Sequence, residues 1–172
     1  MTFYIAQGIS IITTIIAVTR IQAKNMKGML VGHIVTNVLA GSTYFLLNSF
    51  SGAGISFIAI AQSIAMYVYN RKNMPPPKWL IGIFILLYVG ASALSFKAFF
   101  DLLPALSALC FAVSISVQKP LASRLWFVFN PIFWVIYDIY ARAYVNAITH
   151  FCILVSTVVA LIRVDKIFSK KV

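Results

Sequence analysis

The stretch WFVFNPIFWVIYD, residues 126–138, is apolar enough to lie in a bilayer, yet it carries polar side chains at regular steps. Trp126, Asn130, Trp134 and Asp138 follow one another at intervals of four. Residues four apart share one face of a helix, so these side chains form a single stripe. An amide and a carboxylate in hydrocarbon cost several kcal/mol unless they are paired or line a wet cavity. The stripe therefore predicts either a functional cavity or an interhelical hydrogen bond that holds a bundle together.

The composition is that of an integral membrane protein. Of the 172 residues, 62% are hydrophobic and only 10% are charged, and the mean hydropathy is +0.95. Because a helix needs roughly 20 apolar residues to cross a bilayer, the length allows about seven spans and leaves no room for a separate soluble domain. Cys110 and Cys152 fall within apolar runs without metal-ligand spacing, which favours packing over a disulfide or a reactive thiol.

Apolar segments separated by short polar turns follow one another along the chain. We place the spans at about residues 3–19, 28–47, 55–69, 79–96, 103–117, 124–141 and 146–162. Three prolines at 75–77 stop any helix after the third span. The fourth span is almost wholly apolar and is interpreted as a linker helix. Gly28 and Gly32 give the second span a GxxxG spacing, which allows close helix packing.

The basic residues fall on alternate turns, and this alternation predicts the orientation in the membrane. Of the 14 basic residues, 12 fall at one side of the membrane, and only Lys97 and Arg142 fall at the other. By the positive-inside rule the amino terminus lies outside and the carboxyl terminus in the cytoplasm, which requires an odd number of spans. The net charge of +11 is then explained by topology and by contact with anionic lipid, not by nucleic acid.

The two halves of the chain look like two copies in one orientation. A shift of 93 positions (130 − 37) places Asn37 on Asn130 and Tyr44 on Tyr137. We therefore predict an all-α membrane protein of seven transmembrane helices, built as two parallel triple-helix bundles joined by a linker helix (3+1+3). The predicted units are residues 1–72 with spans one to three, residues 73–101 with the linker helix, and residues 102–172 with spans five to seven and a basic tail.

Three motifs carry a family resemblance: YIAQGIS at residues 4–10, LLP at 102–104 and NPIFWVIYDIYARAY at 130–144. Together with the 3+1+3 layout, they resemble the bacterial inner-membrane YgjV family, within the SWEET and PQ-loop superfamily of small transporters that includes the PnuC vitamin carriers. The resemblance implies an inner-membrane carrier that moves a neutral polar solute, such as a sugar, nucleoside or vitamin, by alternating access. Pro104 and Pro131 are the candidate hinges, and the PQ dipeptide itself is absent.

The candidate solute site joins the polar faces of spans two and six. Its residues are Asn37, Tyr44, Asn130, Trp134 and Tyr137. If the repeats pack about a pseudo-twofold axis, Asn37 and Asn130 both come near the bilayer midplane. Amides offer donors and acceptors and aromatic rings offer flat faces, a combination that suits a neutral hydroxylated or ring-bearing solute. Alternatively, the two asparagines bond only to each other or to backbone groups freed by Pro131.

Asp138 and His150 lie toward the outer ends of their spans and are a candidate proton or cation relay. A carboxylate beside an imidazole near the membrane can titrate around neutral pH. The alternatives are a solvated interfacial pair, or an Asp138 that neutralises Arg142 four residues later.

The sequence carries no pattern of an enzyme. Its three acidic residues are far apart, and no metal-ligand spacing, catalytic triad order or phosphate loop is present, so we expect neither a cofactor nor a metal. The expected partners are a small solute and the lipid bilayer, with a homo-oligomer as an open option. The rival function is a non-transporting membrane receptor or scaffold with the same fold, whose site would open to one side only.

Overall fold

The chain is helical wherever its structure is described. The structure is a computed structural model that describes residues 2–46, 50–94, 99–140 and 144–165. The α-helices are α1 (Thr2–Arg20), α2 (Met26–Leu46), α3 (Phe50–Arg71), α4 (Lys78–Leu94), α5 (Leu102–Ser116), α6 (Pro120–Phe127), α7 (Phe129–Tyr140) and α8 (Tyr144–Arg163), with a short 3₁₀ turn at Phe99–Asp101 before α5. The described residues contain no strand, which confirms the predicted all-α class.

Apolar side chains cover the outside of the bundle, and polar ones fill part of its inside. Ile11, Phe57 and Leu86 are 64%, 73% and 71% exposed, whereas Gln62 and Arg124 are fully buried. A water-soluble protein distributes these residue types the other way round, so the pattern matches a bundle that is surrounded by lipid. By length and composition, two helical segments are long and apolar enough to cross a membrane; shorter apolar helices accompany them. The two long segments are Ala53–Arg71 and Asn146–Arg163.

Local chemistry sets the helix ends. The Asn25 side chain accepts a hydrogen bond from the Gly28 amide at 2.7 Å and so caps the start of α2. After α3, Asn73 adopts a left-handed φ of 53°, which asparagine tolerates better than most residues, and the prolines follow. The third span, predicted to begin at about residue 55, begins earlier, because α3 already starts at Phe50. Serine, alanine and isolated glycine weaken a helix there but do not stop it as proline does.

The predicted sixth span begins earlier than expected, at Pro120, and is interrupted at Val128. It consists of α6 and α7, which meet at Val128. Pro131 explains the interruption, because it has no amide hydrogen to donate to the carbonyl of Phe127 and its ring crowds that carbonyl. Val128 keeps right-handed helical dihedrals of −55° and −38°, so the two helices follow one another with only a local break. Within the described residues, the eight α-helices therefore correspond to the seven predicted spans.

The helices pack as two groups. In the first, α2 lies between α1 and α3; in the second, α6 and α7 lie between α5 and α8. Helix α4 contacts α3 and α5, and the two groups also meet directly where α1 contacts α8 and α3 contacts α5. We call these groups the first half (α1–α3) and the second half (α5–α8). The end of the molecule at which Arg20, Arg71 and Arg163 close their helices is called the basic end.

Gly32 provides the space through which Arg20 reaches into the bundle. A Cβ atom at Gly32 would lie 2.4 Å from the Arg20 Cβ atom, far inside contact distance, whereas one at Gly82 in α4 would meet nothing within 4 Å. We expect Gly32→Ala to lower the free energy of unfolding by about 1–3 kcal/mol, as overpacked sites do. Gly82→Ala is the matched control and should be neutral or stabilising, because alanine favours helix more than glycine. Thermal unfolding in detergent measures both, and equal stability of the two variants would contradict this packing.

Candidate functional site

Asp138 and His150 lie together at the end of the bundle opposite the basic end. The His150 Nδ1 atom is 2.8 Å from the Asp138 Oδ2 atom, so the imidazole donates a hydrogen bond to the carboxylate. The Asp138 side chain is 4% exposed and that of His150 is 24% exposed. Trp134 stacks on the His150 ring at 5.3 Å, and Tyr137 meets Trp134 edge-on at 5.9 Å. The structure therefore joins four of the predicted residues into one group, here called the outer cluster: Trp134, Tyr137, Asp138 and His150.

The two predicted asparagines do not bond to each other. The Asn37 amide donates to the His33 carbonyl of its own helix at 2.8 Å. The Asn130 amide donates to the Ser107 carbonyl at 3.1 Å and to its hydroxyl at 2.7 Å. The Ser107 hydroxyl in turn donates to the Asn130 carbonyl at 3.2 Å. Asn130 thus clamps α7 to α5 beside the interruption, and in this conformation its polar atoms serve packing within the second half.

The other predicted site residues are scattered. Trp126 is 46% exposed on the outside of the bundle, so it does not continue the buried part of the stripe that ends in Asp138. Pro131 is fully buried and Pro104 is half-buried in the first turn of α5. The Tyr44 side chain and Arg142 lie outside the described part of the chain, so the predicted roles of both stay predictions.

Polar side chains join the two halves along a surface that we call the seam, made of Gln22, Gln62, Ser116 and Ser156. The Gln22 amide donates to the Ser156 carbonyl at 2.9 Å and hydroxyl at 3.0 Å. The Ser156 hydroxyl donates to the carbonyl of Val18 at 2.7 Å. Across the other contact, the Gln62 amide donates to the Ala112 carbonyl at 3.1 Å and to the Ser116 hydroxyl at 3.3 Å.

Two further polar contacts cross between the halves at the basic end. The Asn70 amide lies within hydrogen-bonding distance of the Gln118 side-chain oxygen. Arg124 is completely buried and donates from Nε to the Ile21 carbonyl at 2.9 Å, and also donates to the carbonyl of Ala23. Its Nη1 atom lies 2.7 Å from both carboxylate oxygens of Asp165. Arg124 therefore ties the α1–α2 turn of the first half to the second half, where it also joins α6 to the segment that follows α8.

A second cation, the half-buried Arg20, lies in the same region. The Arg20 guanidinium contacts His33 Nδ1 and donates to the Thr36 hydroxyl at 2.8 Å. It lies 5.6 Å from the centre of the Phe127 ring, close enough for a cation–π interaction. His33 meets the Phe111 ring edge-on at 5.2 Å. This group packs α1 and α2 against α5 and α6, and it gives His33 a packing role.

A cleft of about 730 Å³ opens at the basic end between the two halves. Gln22 and Lys24 of the α1–α2 turn form one wall, and the start of α6 and the end of α8 form the other. Lys119, Arg163 and Asp165 are the charged residues of the second wall. We call this space the basic cleft. No sequence pattern predicted it, because its walls come from three segments that are distant in the chain.

A family model described as "Bacterial inner membrane protein" matches residues 4–167, which is nearly the whole chain. The chain belongs to the Imp-YgjV family. The predicted membership of the YgjV family is thereby confirmed, and with it the location in the bacterial inner membrane. No curated protein and no solved structure matches the chain.

In this Imp-YgjV protein the described residues hold no group of three or more His, Cys, Asp or Glu side chains that could bind a metal ion. The polar residues that sequence reasoning missed are Arg20, Gln22, Thr36, Arg124 and Asp165. Apart from Thr36, they lie at or near the ends of apolar segments, positions that are equally typical of solvated turns. Arg124 was the one with a usable signal, because it precedes an apolar stretch directly and a carboxylate follows the last span.

Proposed function

We propose that the protein is a small-solute carrier of the inner membrane that works by alternating access between its two halves. In this proposal the halves are the parallel triple-helix bundles of a 3+1+3, SWEET-like arrangement, with α4 as the linker helix. The basic end faces the cytoplasm, as the positive-inside rule favours. The substrate class is a neutral polar solute such as a sugar, nucleoside or vitamin.

The observation that carries the proposal is the reciprocal contact between the halves. Helix α1 of the first half meets α8 of the second, and α3 meets α5. In the predicted repeat, α1 corresponds to α5 and α3 corresponds to α8. Exchanging the two halves then converts the α1–α8 contact into the α5–α3 contact. A pseudo-twofold axis along the membrane normal produces such a pair, and parallel-repeat carriers place their solute close to that axis.

The chemistry of the seam supports movement of one half against the other. The contacts of Gln22, Gln62 and Ser156 across it are neutral hydrogen bonds. Each contributes only about 0.5–1.5 kcal/mol net, because water can replace either partner. Water can therefore take the place of these contacts when the halves move apart.

Buried polar atoms near the seam lack hydrogen-bond partners among the described residues. They are the Gln62 side-chain oxygen, the Ser63 and Tyr88 hydroxyls and the Gln118 amide nitrogen. An unsatisfied buried polar group costs about 1–3 kcal/mol, so a second arrangement that pairs or hydrates these atoms gains free energy. This supports a protein with two conformations of similar free energy.

The outer cluster, which lies within the second half, supplies groups for coupling and for one side of the solute site. Trp134 and Tyr137 offer flat apolar rings, and Asp138 and His150 offer a titratable pair at the end opposite the basic end. Asn37 and Asn130 lie deeper along the path. In the alternative conformation their amides exchange the present bonds for bonds to the solute.

The experiment is thermal unfolding of the detergent-purified protein against sugars, nucleosides, vitamins, amino acids and polyamines, followed by uptake of each stabilising compound into proteoliposomes. A ligand at 100 times its dissociation constant stabilises by about 2.7 kcal/mol, which shifts the midpoint measurably. Uptake of a stabilising neutral compound supports the proposal. A compound that stabilises the protein but is never taken up favours the receptor function instead.

The Asp138–His150 pair makes uptake sensitive to pH in this proposal. Asn at position 138 keeps the size and hydrogen-bonding ability of Asp138 but carries no charge. We expect Asp138→Asn to remove the pH dependence of uptake, because the proposed relay loses its carboxylate. Initial rates of uptake into proteoliposomes at fixed membrane potential measure this.

Trp134→Phe is the matched control for the relay. Phenylalanine keeps an aromatic ring against His150 and leaves both titratable side chains in place. We expect uptake by this variant to keep the pH profile of the unaltered protein, even if its rate changes. If Asp138→Asn keeps that profile too, the pair is a packing contact and the relay is wrong.

A further inference from the structure

The basic cleft collects cations from three separate segments of the chain. Lys24 follows α1, Lys119 precedes α6 and Arg163 ends α8, and all three side chains are exposed at the cleft. The salt bridges among the described residues are Arg124–Asp165 and His150–Asp138, so none of the three cations has a carboxylate partner there. Like charges that converge on one cavity raise its positive potential.

The carboxylate in the wall does not cancel this charge. Asp165 lines the cleft, but both of its oxygens lie 2.7 Å from the Nη1 atom of Arg124. The Arg124–Asp165 pair is therefore neutral as a unit. The cleft keeps the charge of Lys24, Lys119 and Arg163.

The start of α6 adds to the positive potential. Pro120 and Leu121, in the first turn of α6, line the cleft. Lys119 is the N-cap residue, and its side chain makes no capping hydrogen bond. The amino end of a helix carries partial positive charge and exposes amide hydrogens, which favours an anion.

We infer that the basic cleft binds a phosphate group, either that of an anionic lipid or that of a free phosphate compound. A volume of about 730 Å³ accommodates a headgroup or a phosphorylated small molecule. Basic pockets between transmembrane helices are suited to phosphate headgroups. Because Lys24 belongs to the first half and Lys119 and Arg163 to the second, the phosphate bridges the halves. This site is independent of the solute and of the proposed transport.

The test measures binding to the detergent-purified, lipid-depleted full chain at constant ionic strength. The probes are inorganic pyrophosphate and a short-chain phosphatidylglycerol, with short-chain phosphatidylcholine as the zwitterionic reference. Dissociation constants come from the shift of the thermal unfolding midpoint with probe concentration. The cleft variant is the triple substitution Lys24→Gln, Lys119→Gln and Arg163→Gln. The matched control is Lys27→Gln, Arg71→Gln and Lys72→Gln, which removes three exposed cations outside the cleft.

We expect at least one probe to bind and the cleft variant to bind it at least tenfold more weakly, with the control variant unchanged. Binding of phosphatidylglycerol alone assigns the site to a lipid headgroup. Binding of pyrophosphate as well assigns it to phosphate compounds in general. Equal weakening in the cleft and control variants would mean surface electrostatics and would overturn the inference, as would the absence of binding by both probes.

Discussion

Cross-linking the two halves at the basic end should lower the rate of uptake at least tenfold, and reduction of the cross-link should restore that rate. The variant carries Gln22→Cys and Ser156→Cys in a background in which Cys110 and Cys152 are replaced by alanine. The Gln22 amide lies 3.0 Å from the Ser156 hydroxyl, so a short thiosulfonate reagent spans the two cysteines. A covalent link across the seam prevents the halves from separating there, and alternating access requires that separation. Uptake of the solute found by thermal unfolding provides the measurement.

The matched control carries a cross-link within one half. Ser114 and Ser123 belong to α5 and α6, and their hydroxyl oxygens are 3.1 Å apart. Ser114→Cys and Ser123→Cys in the same background join two helices that move together in the proposed mechanism. We expect this cross-linked protein to keep its uptake. Loss of uptake in both variants, or in neither, would show that the seam is not where the protein opens.

Arg124→Ala should lower the free energy of unfolding by about 3–5 kcal/mol. The Arg124 side chain is fully buried. Its removal leaves the Asp165 carboxylate and the carbonyls of Ile21 and Ala23 without their hydrogen-bond donor. Removing one partner of a buried ion pair costs far more than the pair itself contributes, because the remaining charge is desolvated and unpaired. Thermal unfolding of the purified variant in detergent measures the loss.

Two companion variants separate this effect from a general loss of positive charge. Arg71→Ala removes an exposed arginine from the end of α3 and should unfold like the unaltered protein. Arg124→Met with Asp165→Leu removes both charges and should recover part of the stability, as apolar replacements of buried pairs do. If Arg124→Ala is no less stable than Arg71→Ala, the buried position of Arg124 is wrong.

The helical fold could be predicted from the sequence because its signals are local. Apolar segments, the prolines at 75–77 and the Gly28–Gly32 spacing all act within a few residues, and the helices lie close to the predicted spans. The interruption at Val128 was missed although Pro131 was noted, since a proline in a span can act as a kink or a hinge without stopping the helix. The early start of α3 was missed because small residues resemble a turn in composition.

The candidate site was only partly predictable, because its partners come from distant segments. The Asp138–His150 pair was found because the residues are 12 apart and lie on successive spans with a short connection. The partners of Gln22 and Arg124 are 134 and 103 residues away, and nothing in the local sequence specifies them. Asn37 and Asn130 were paired by repeat symmetry, but a nearby carbonyl satisfies each amide first. A single sequence shows which side chains need a partner, not which partner they find.

The Arg124–Asp165 pair also imposes an order on biosynthesis. The two residues are 41 positions apart, and α7 and α8 lie between them. At about 5–20 residues per second, translation takes roughly 2–8 s to pass from one to the other. Until then the arginine lacks its carboxylate partner, and an unpaired charge is costly away from water, so we expect α6 to reach its buried position only after α8 is made. Asp165, which follows α8, then completes the contacts of Arg124 in the earlier helix α6.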